Sequence, residues 1–255
     1  MKERIREFAL SLGVDDVGFA AVADYDSPRS PKIESISPDI KSIIVLAYKE
    51  LSSCDSPDKD TAMAGRQAVY EFARTANYRV ARYLESTYSA KAYTVPGSNP
   101  FAMFQETGGA VGQVSLRHAA KAAGLGVFGR HNLIIHPRFG TRVNFSAVLS
   151  DLDLPSDPPL TDELCTDCNI CVDECPARAL DEEGKTVVNQ CFKTCQPYGL
   201  GANSAFWKKV LAASPEEQKR MMGSVDYWRL YQSILVGNQY YCFNCMASCP
   251  IGTEI

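Results

Sequence analysis

Cys165-Thr-Asp-Cys168-Asn-Ile-Cys171-Val-Asp-Glu-Cys175-Pro176 places four thiols within eleven residues. The C-x2-C-x2-C-x3-C-P spacing is that of an iron–sulfur loop. In it three closely spaced thiolates share one cubane, and the fourth serves the other cluster where two are present. Structural zinc sites instead pair two separated C-x2-C knuckles around one tetrahedral ion. Four cysteines packed this closely and ending in Cys-Pro select iron–sulfur over zinc.

Working outward, nine of the ten cysteines lie from Cys165 onward; Cys54 alone lies elsewhere and reads as a passive thiol in the polar loop 52–60. A second run, Cys242-x2-Cys245-x3-Cys249-Pro250, repeats the first with one cysteine missing. Two [4Fe–4S] clusters need four ligands each. Cluster one takes Cys165, Cys168 and Cys171, and by the crossover rule Cys249. Cluster two takes Cys242, Cys245 and Cys175. Its last ligand is Cys191 or Cys195, which counting cannot separate. Were that pair a separate redox disulfide, cluster two would be incomplete. Two linked clusters read as an electron wire. The stretch 162–183 holds eight acids against one base, Arg178, a face suited to a basic electron donor or simply a solvated loop surface.

The 255 residues are 45% hydrophobic and 22% charged, with 26 basic and 30 acidic side chains for a net charge of −4. That composition excludes a disordered chain and argues against a nucleic-acid partner. No run of about 18 apolar residues occurs, so no membrane span is expected. The N-terminus alternates charged with apolar residues, unlike a signal peptide, which points to the cytoplasm.

Residues 1–155 read as a mixed α/β domain. Ile5, Phe8, Ala9 and Leu12 recur at helical spacing, and Gly13 ends that helix. Strands are expected over 16–23, 42–48 and 90–95, and helices over 62–88 and 113–123. A turn-rich loop is expected at 96–100. Residues 132–136 and 142–149 suit two strands joined by a tight turn at 137–140. Residues 156–255 read as the cluster domain, with a helical insertion at about 203–240 that includes a capping box at Ser214-Pro215-Glu216-Glu217.

Gly124-Leu-Gly126-Val-Phe-Gly129 matches G-x-G-x-x-G but follows a helix and leads into a strand. A dinucleotide fingerprint has the reverse order, which argues against a nicotinamide site. Gly124 suits a helix end. Gly126 and Gly129 leave room either for a large cofactor or for close packing. Arg117, Arg130 and Arg142 flank the segment, placed for phosphate or carboxamide groups or simply for solvent. His118, His131 and His136 form no H-x-x-x-H pair and read as structural or exposed residues, not ligands.

The segment AAKAAGLGVFGRHNLIIHPRFGTR (Ala119 to Arg142), then CTDCNICVDECP, a lone mid-chain cysteine and CFNCMASCP, resembles the epoxyqueuosine reductase and reductive dehalogenase superfamily. The resemblance runs from the N-terminal helix to Pro250. It implies an α/β (α+β) fold, with a nitroreductase-like, cobalamin-binding domain followed by a ferredoxin-like domain. It implies an enzyme in which electrons from an external ferredoxin or flavodoxin pass through two [4Fe–4S] clusters to cobalamin, for reduction of a small-molecule substrate. Cobalamin-binding residues are then expected at Gly124, Gly126, Gly129, Arg130, Asn132 and Arg142. The eighth cluster ligand becomes Cys191, after a short strand at 186–188, and Cys195 is spare. The queuosine branch carries a catalytic aspartate just before the glycine segment. The equivalent stretch here, Ala110-Val-Gly-Gln-Val-Ser-Leu116, has no acid. With the chain ending six residues after Cys249, this argues against a tRNA substrate. The alternatives are an electron-transfer protein, or one that reactivates a corrinoid protein, and more remotely an iron–sulfur sensor.

Overall fold

A computed structural model describes residues 1–96, 111–236 and 241–252. Residues 97–100 of the expected turn-rich loop, Ala110, and the last residues of the expected insertion lie outside that set. Helix α1 (Lys2–Ser11) ends before Gly13, whose φ of +95° turns the chain back. Strands β1 (Asp16–Ala21) and β2 (Ser42–Lys49) follow, then helix α2 (Lys59–Tyr88) and the short β3 (Ala92–Thr94). Asp58 caps α2, its carboxylate accepting the Thr61 N–H at 2.8 Å. Next come α3 (Leu116–Ala122), the two-residue strands β4 (Val127–Phe128) and β5 (Ile134–Ile135), and β6 (Val143–Ser150).

The main sheet runs β1-β2-β6-β3 and every pairing is antiparallel, so the fold is the α+β form of the expected class. Side chains alternate across a strand, and here both faces are covered. Phe19, Ile44, Leu46, Tyr48 and Val148 pack with Ile5 of α1 and Val69, Val80 and Leu84 of α2. Ala20, Ile43, Val45, Ala147 and Leu149 pack with α3 and Ile134. That double burial is why β2 reads as the unbroken apolar run SIIVLAY. Tyr48 Oη and Ser146 Oγ lie 2.9 Å apart, and Ser146 in turn donates to Asn77 Oδ1 of α2 at 2.6 Å.

The expected hairpin over 132–149 does not form. β5 pairs with β4 in a separate two-stranded sheet, while β6 joins the main sheet. The turn closes on itself through reciprocal His136–Gly140 backbone bonds and does not propagate. The turn is tied to β1 from the side. His136 Nε2 stands 3.2 Å from Asp16 Oδ2, and Arg138 Nη2 donates to the same oxygen at 2.9 Å.

The connection to the cluster segment is pinned as well. Asp157 accepts from Arg6 and from the Phe19 N–H, and its own N–H donates to Phe19 O at 2.8 Å. Beyond it lie α4 (Ile170–Asp173), α5 (Val188–Cys195), α6 (Leu200–Ala212), α7 (Pro215–Met222), α8 (Val225–Val236) and α9 (Asn244–Ala247). The capping box at Ser214 and Glu217 is present. The expected strand at 186–188 is absent: Val187 N–H makes one bond to Ala179 O, and the chain enters α5 at Val188. One backbone bond without a partner strand builds no ladder. No described helix is long and apolar enough to cross a membrane.

Burial pushes the Asp16 carboxyl up, but the bonds from His136, the Val17 N–H and Arg138 outweigh it and bring it down to about 2. A carboxylate depressed on folding stabilises the protein above its unfolded pKa, near 4, and that contribution is lost as pH falls towards the folded value. Asp16→Asn is therefore expected to be less stable than wild type at pH 7, with the gap closing between about pH 4 and pH 2. Urea unfolding across that range measures it.

Candidate metal centre

The first cysteine run folds into its shape because polar residues accept left-handed backbone. Asp167 and Asn169, at φ of +49° and +60°, alternate with the thiols and curl the loop inward. Asp and Asn visit that region more readily than other side chains with a Cβ. Helix α4 then carries Cys171, and α9 carries Cys245 in the second run. The two runs touch: Asn244 Nδ2 donates to Glu174 O at 3.3 Å.

Cys165, Cys168, Cys171 and Cys249 line one cavity with Arg130, His131 and Ile135. The Cys171 thiol is pushed up by burial and by its neighbours Cys165, Cys168 and Cys249. A second group gathers around Cys245. Its thiol is pushed up to about 12 by burial and by Cys191, Cys242 and Cys175; Cys171 also contributes, so the two groups adjoin. Cys191 and Cys195, four apart on α5, share a hydrogen bond that pulls Cys191 down to about 7 and pushes Cys195 up. Cys195 O also accepts the Tyr241 N–H at 2.7 Å, which ties α5 to the start of the second run.

The site suits cubanes by its donor set. Four thiols line the first cavity, and backbone N–H groups already face one sulfur of each group: Arg130 N–H to Cys165 Sγ at 3.3 Å and Ala179 N–H to Cys175 Sγ at 3.4 Å. N–H donors to cluster sulfurs are a principal control of reduction potential. Among the described residues no three Cys, His, Asp or Glu side chains converge on a single-ion position.

The six residues expected at a cobalamin also have neighbours within the protein. Gly124, at φ +70°, backs onto the Pro158 carbonyl, and Gly126 backs onto the Ile135 carbonyl. A Cβ at Gly129 would lie 2.6 Å from His131 Cε1. Arg130 Nη1 reaches Glu182 O at 3.5 Å, and Asn132 Nδ2 donates to Thr186 Oγ1 at 3.2 Å. Arg142 donates to Asp55 at 2.8 Å, Ala247 O at 2.8 Å and Cys249 O at 3.3 Å. Protein atoms therefore lie against the Cβ positions that these glycines leave open. The side chains join the α+β domain to the cysteine segments. Thr141 adds a buried bond to Met246 O at 2.8 Å. Arg117 donates to Asn132 O within the same region.

Sequence reasoning missed a buried charge cluster beside the second run. Cys54 belongs to it: its thiol, 1% exposed, donates to Glu50 Oε2 at 3.0 Å and is pushed up to about 12 by burial and by Glu50, which keeps it protonated and unreactive. Glu50 Oε1 stands 2.9 Å from Arg66 Nε, and the Arg66 guanidinium lies 5.3 Å from the Phe243 ring and donates to Met246 Sδ at 3.0 Å. Burial raises the Glu50 carboxyl against the pull of Arg66. No local sequence signal separates Glu50, beside Lys49, or Arg66, on a helix rich in charged residues, from solvated surface charges.

Residues 158–181 match the family model of a 4Fe-4S binding domain. Epoxyqueuosine reductase of Staphylococcus aureus is 24% identical over 98% of this chain and 64% of its own length. A solved epoxyqueuosine reductase, in complex with an epoxyqueuosine-modified tRNA-Tyr stem loop, superposes with a TM-score of 0.63 at 20% identity, over 99% of this chain and 65% of that one. A reductive dehalogenase whose structure bears on B12-dependent dehalogenation gives 0.58 at 19% identity, over 74% of this chain and 28% of that one. The chain thus spans less than two thirds of these relatives. By sequence the chain is similar along nearly its whole length to epoxyqueuosine reductases, its fold is like theirs and like that of the reductive dehalogenases, and its 158–181 segment matches a 4Fe–4S binding domain.

Proposed function

We propose that the chain is an iron–sulfur oxidoreductase that carries low-potential electrons through two [4Fe–4S] clusters. Cys165, Cys168, Cys171 and Cys249 hold cluster one; Cys175, Cys191, Cys242 and Cys245 hold cluster two. The observation that carries this reading is the convergence of thiols from three separate segments into two adjoining groups. Adjacency supports transfer between the clusters, and the acid-rich 162–183 surface supports docking of a ferredoxin or flavodoxin type donor through a basic face. Cys195 stays outside both sets as the hydrogen-bond partner of Cys191.

The B12-dependent relative adds a cobalamin to the proposal. When bound, that group supplies low-potential reduction at cobalt. Gly124, Gly126, Gly129, Arg130 and Asn132 remain its proposed seat, while Arg142, with three acceptors inside the protein, is assigned to the seam with the second cysteine run. One observation favours a second reading. The 110–116 stretch holds no acid, and Ser115 Oγ there is paired with His118 Nδ1 at 2.7 Å. An electron-transfer or corrinoid-reactivating protein needs no such acid.

Anaerobic reconstitution is expected to give about eight iron per chain. Cys191→Ser should drop that to about four, and Cys195→Ser should leave it near eight. The opposite pattern would exchange the two residues in the assignment. Titration with cobalamin, followed in the visible spectrum, is expected to reach one corrinoid per chain. Arg142→Met should lower iron retention without weakening corrinoid uptake; loss of uptake at full iron would return Arg142 to the cofactor. Eight iron and no corrinoid would support the electron-transfer reading. Turnover of an epoxyqueuosine-bearing stem loop would overturn the expectation against a nucleic-acid substrate.

A further inference from the structure

His131 is 4% exposed, and its Nε2 has no hydrogen-bond partner among the described residues. An orphaned donor at that depth is costly and calls for an explanation. The other ring nitrogen fixes its chemistry. Nδ1 accepts the Leu133 N–H at 3.0 Å, so it carries no proton, and the neutral ring holds its proton on Nε2. A ring protonated there donates; it does not ligate a metal through that atom. His131 lines the same cavity as Cys165, Cys168, Cys171 and Cys249. Gly129 gives the ring its place, since a Cβ there would lie 2.9 Å from Nε2.

We infer that His131 Nε2–H donates a hydrogen bond to a sulfur of cluster one and sets its reduction potential above that of a cluster without the bond. The inference rests on the proposed placement of cluster one. Reduction adds negative charge to the cluster, and a donor to sulfur stabilises the more negative state more strongly. The Arg130 N–H, 3.3 Å from Cys165 Sγ, acts from the neighbouring position on the same strand connection. Together they make the glycine segment the hydrogen-bonding wall of cluster one. His131 is a tuning residue, and the iron keeps its four thiolates.

The test is a redox titration of reconstituted wild type and His131→Leu, followed by electron paramagnetic resonance, with iron counted on each sample. The expected result is about a tenfold fall in the reduced-to-oxidised ratio of one cluster at fixed potential, ~59 mV for one electron, with the other cluster unmoved. His131→Gln, whose amide extends about as far as the ring Nε2, should restore most of it. Wild-type potentials in a His131→Leu protein holding eight iron would overturn the inference while leaving the cluster assignment intact. Loss of both clusters from wild type would instead remove the assignment itself. If His131→Leu fails to load, wild type decides alone. The chain has three histidines, so with 15N-histidine a 15N coupling to one reduced cluster supports the bond, and its absence from both overturns it.

Discussion

The Arg142 guanidinium holds the two halves of the molecule in register. It leaves the start of β6 and donates to the carbonyls of Ala247 and Cys249, with Asp55 balancing its charge. Three donors in a rigid fork fix both position and angle, as a flexible lysine would not. Cys249 lies 84 residues beyond Cys165 in the chain, yet it must meet that cysteine at one cavity. Closing so long a loop costs entropy that the cysteines alone recover only once a cluster is in place. The Arg142 fork, the Thr141–Met246 bond and the backbone packing of Gly140 against Ile251 and Gly252 bring the second run to the first by protein contacts alone.

The Glu50–Arg66–Cys54 cluster works on the same seam from the other side. A buried ion pair carries a desolvation penalty comparable to its attraction, so it is weak evidence for stability. Its geometry is directional, however. Glu50 N–H donates to Arg142 O, Arg66 spreads over the Phe243 ring, and Met246 accepts from the guanidinium. The pair thus connects the end of β2, helix α2 and the second cysteine run through groups that pair in one arrangement. An apolar patch of equal area would tolerate sliding. Thiols aimed at a cubane would not tolerate it.

The gathering of the two cysteine runs and the central strands were legible because each rests on a local rule. Thiol spacing reports cluster geometry directly, and β2 and β6 are long enough to show their apolar runs. The strands β4 and β5, two residues each, are too short for any period to register, and the hairpin expectation failed because the turn at 137–140 closes without extending. Cys191 and Cys195 could not be separated by counting, since both lie on one face of α5. The glycine segment left two readings open, a cofactor or close packing. A glycine announces that something comes close; the sequence does not say whether that is a cofactor, a carbonyl or an imidazole.

At this segment the missing Cβ positions meet the protein itself, and that bears on how the motif connects to the cysteines. Gly124 admits the Pro158 carbonyl of the connection, Gly126 the Ile135 carbonyl, Gly129 the His131 ring. Each approach faces the cluster segment or shapes the wall beside it. The backbone there is held rigid by β4–β5 pairing and by the His136–Gly140 bonds. Gly126 and Gly129 thus let the segment pack on its own hairpin, and Gly124 lets it pack on the connection that leads into the cysteine loop. A bulky substitution in the glycine segment would act on the cysteine loops through displacement of this wall, at a distance in sequence but in direct contact in space.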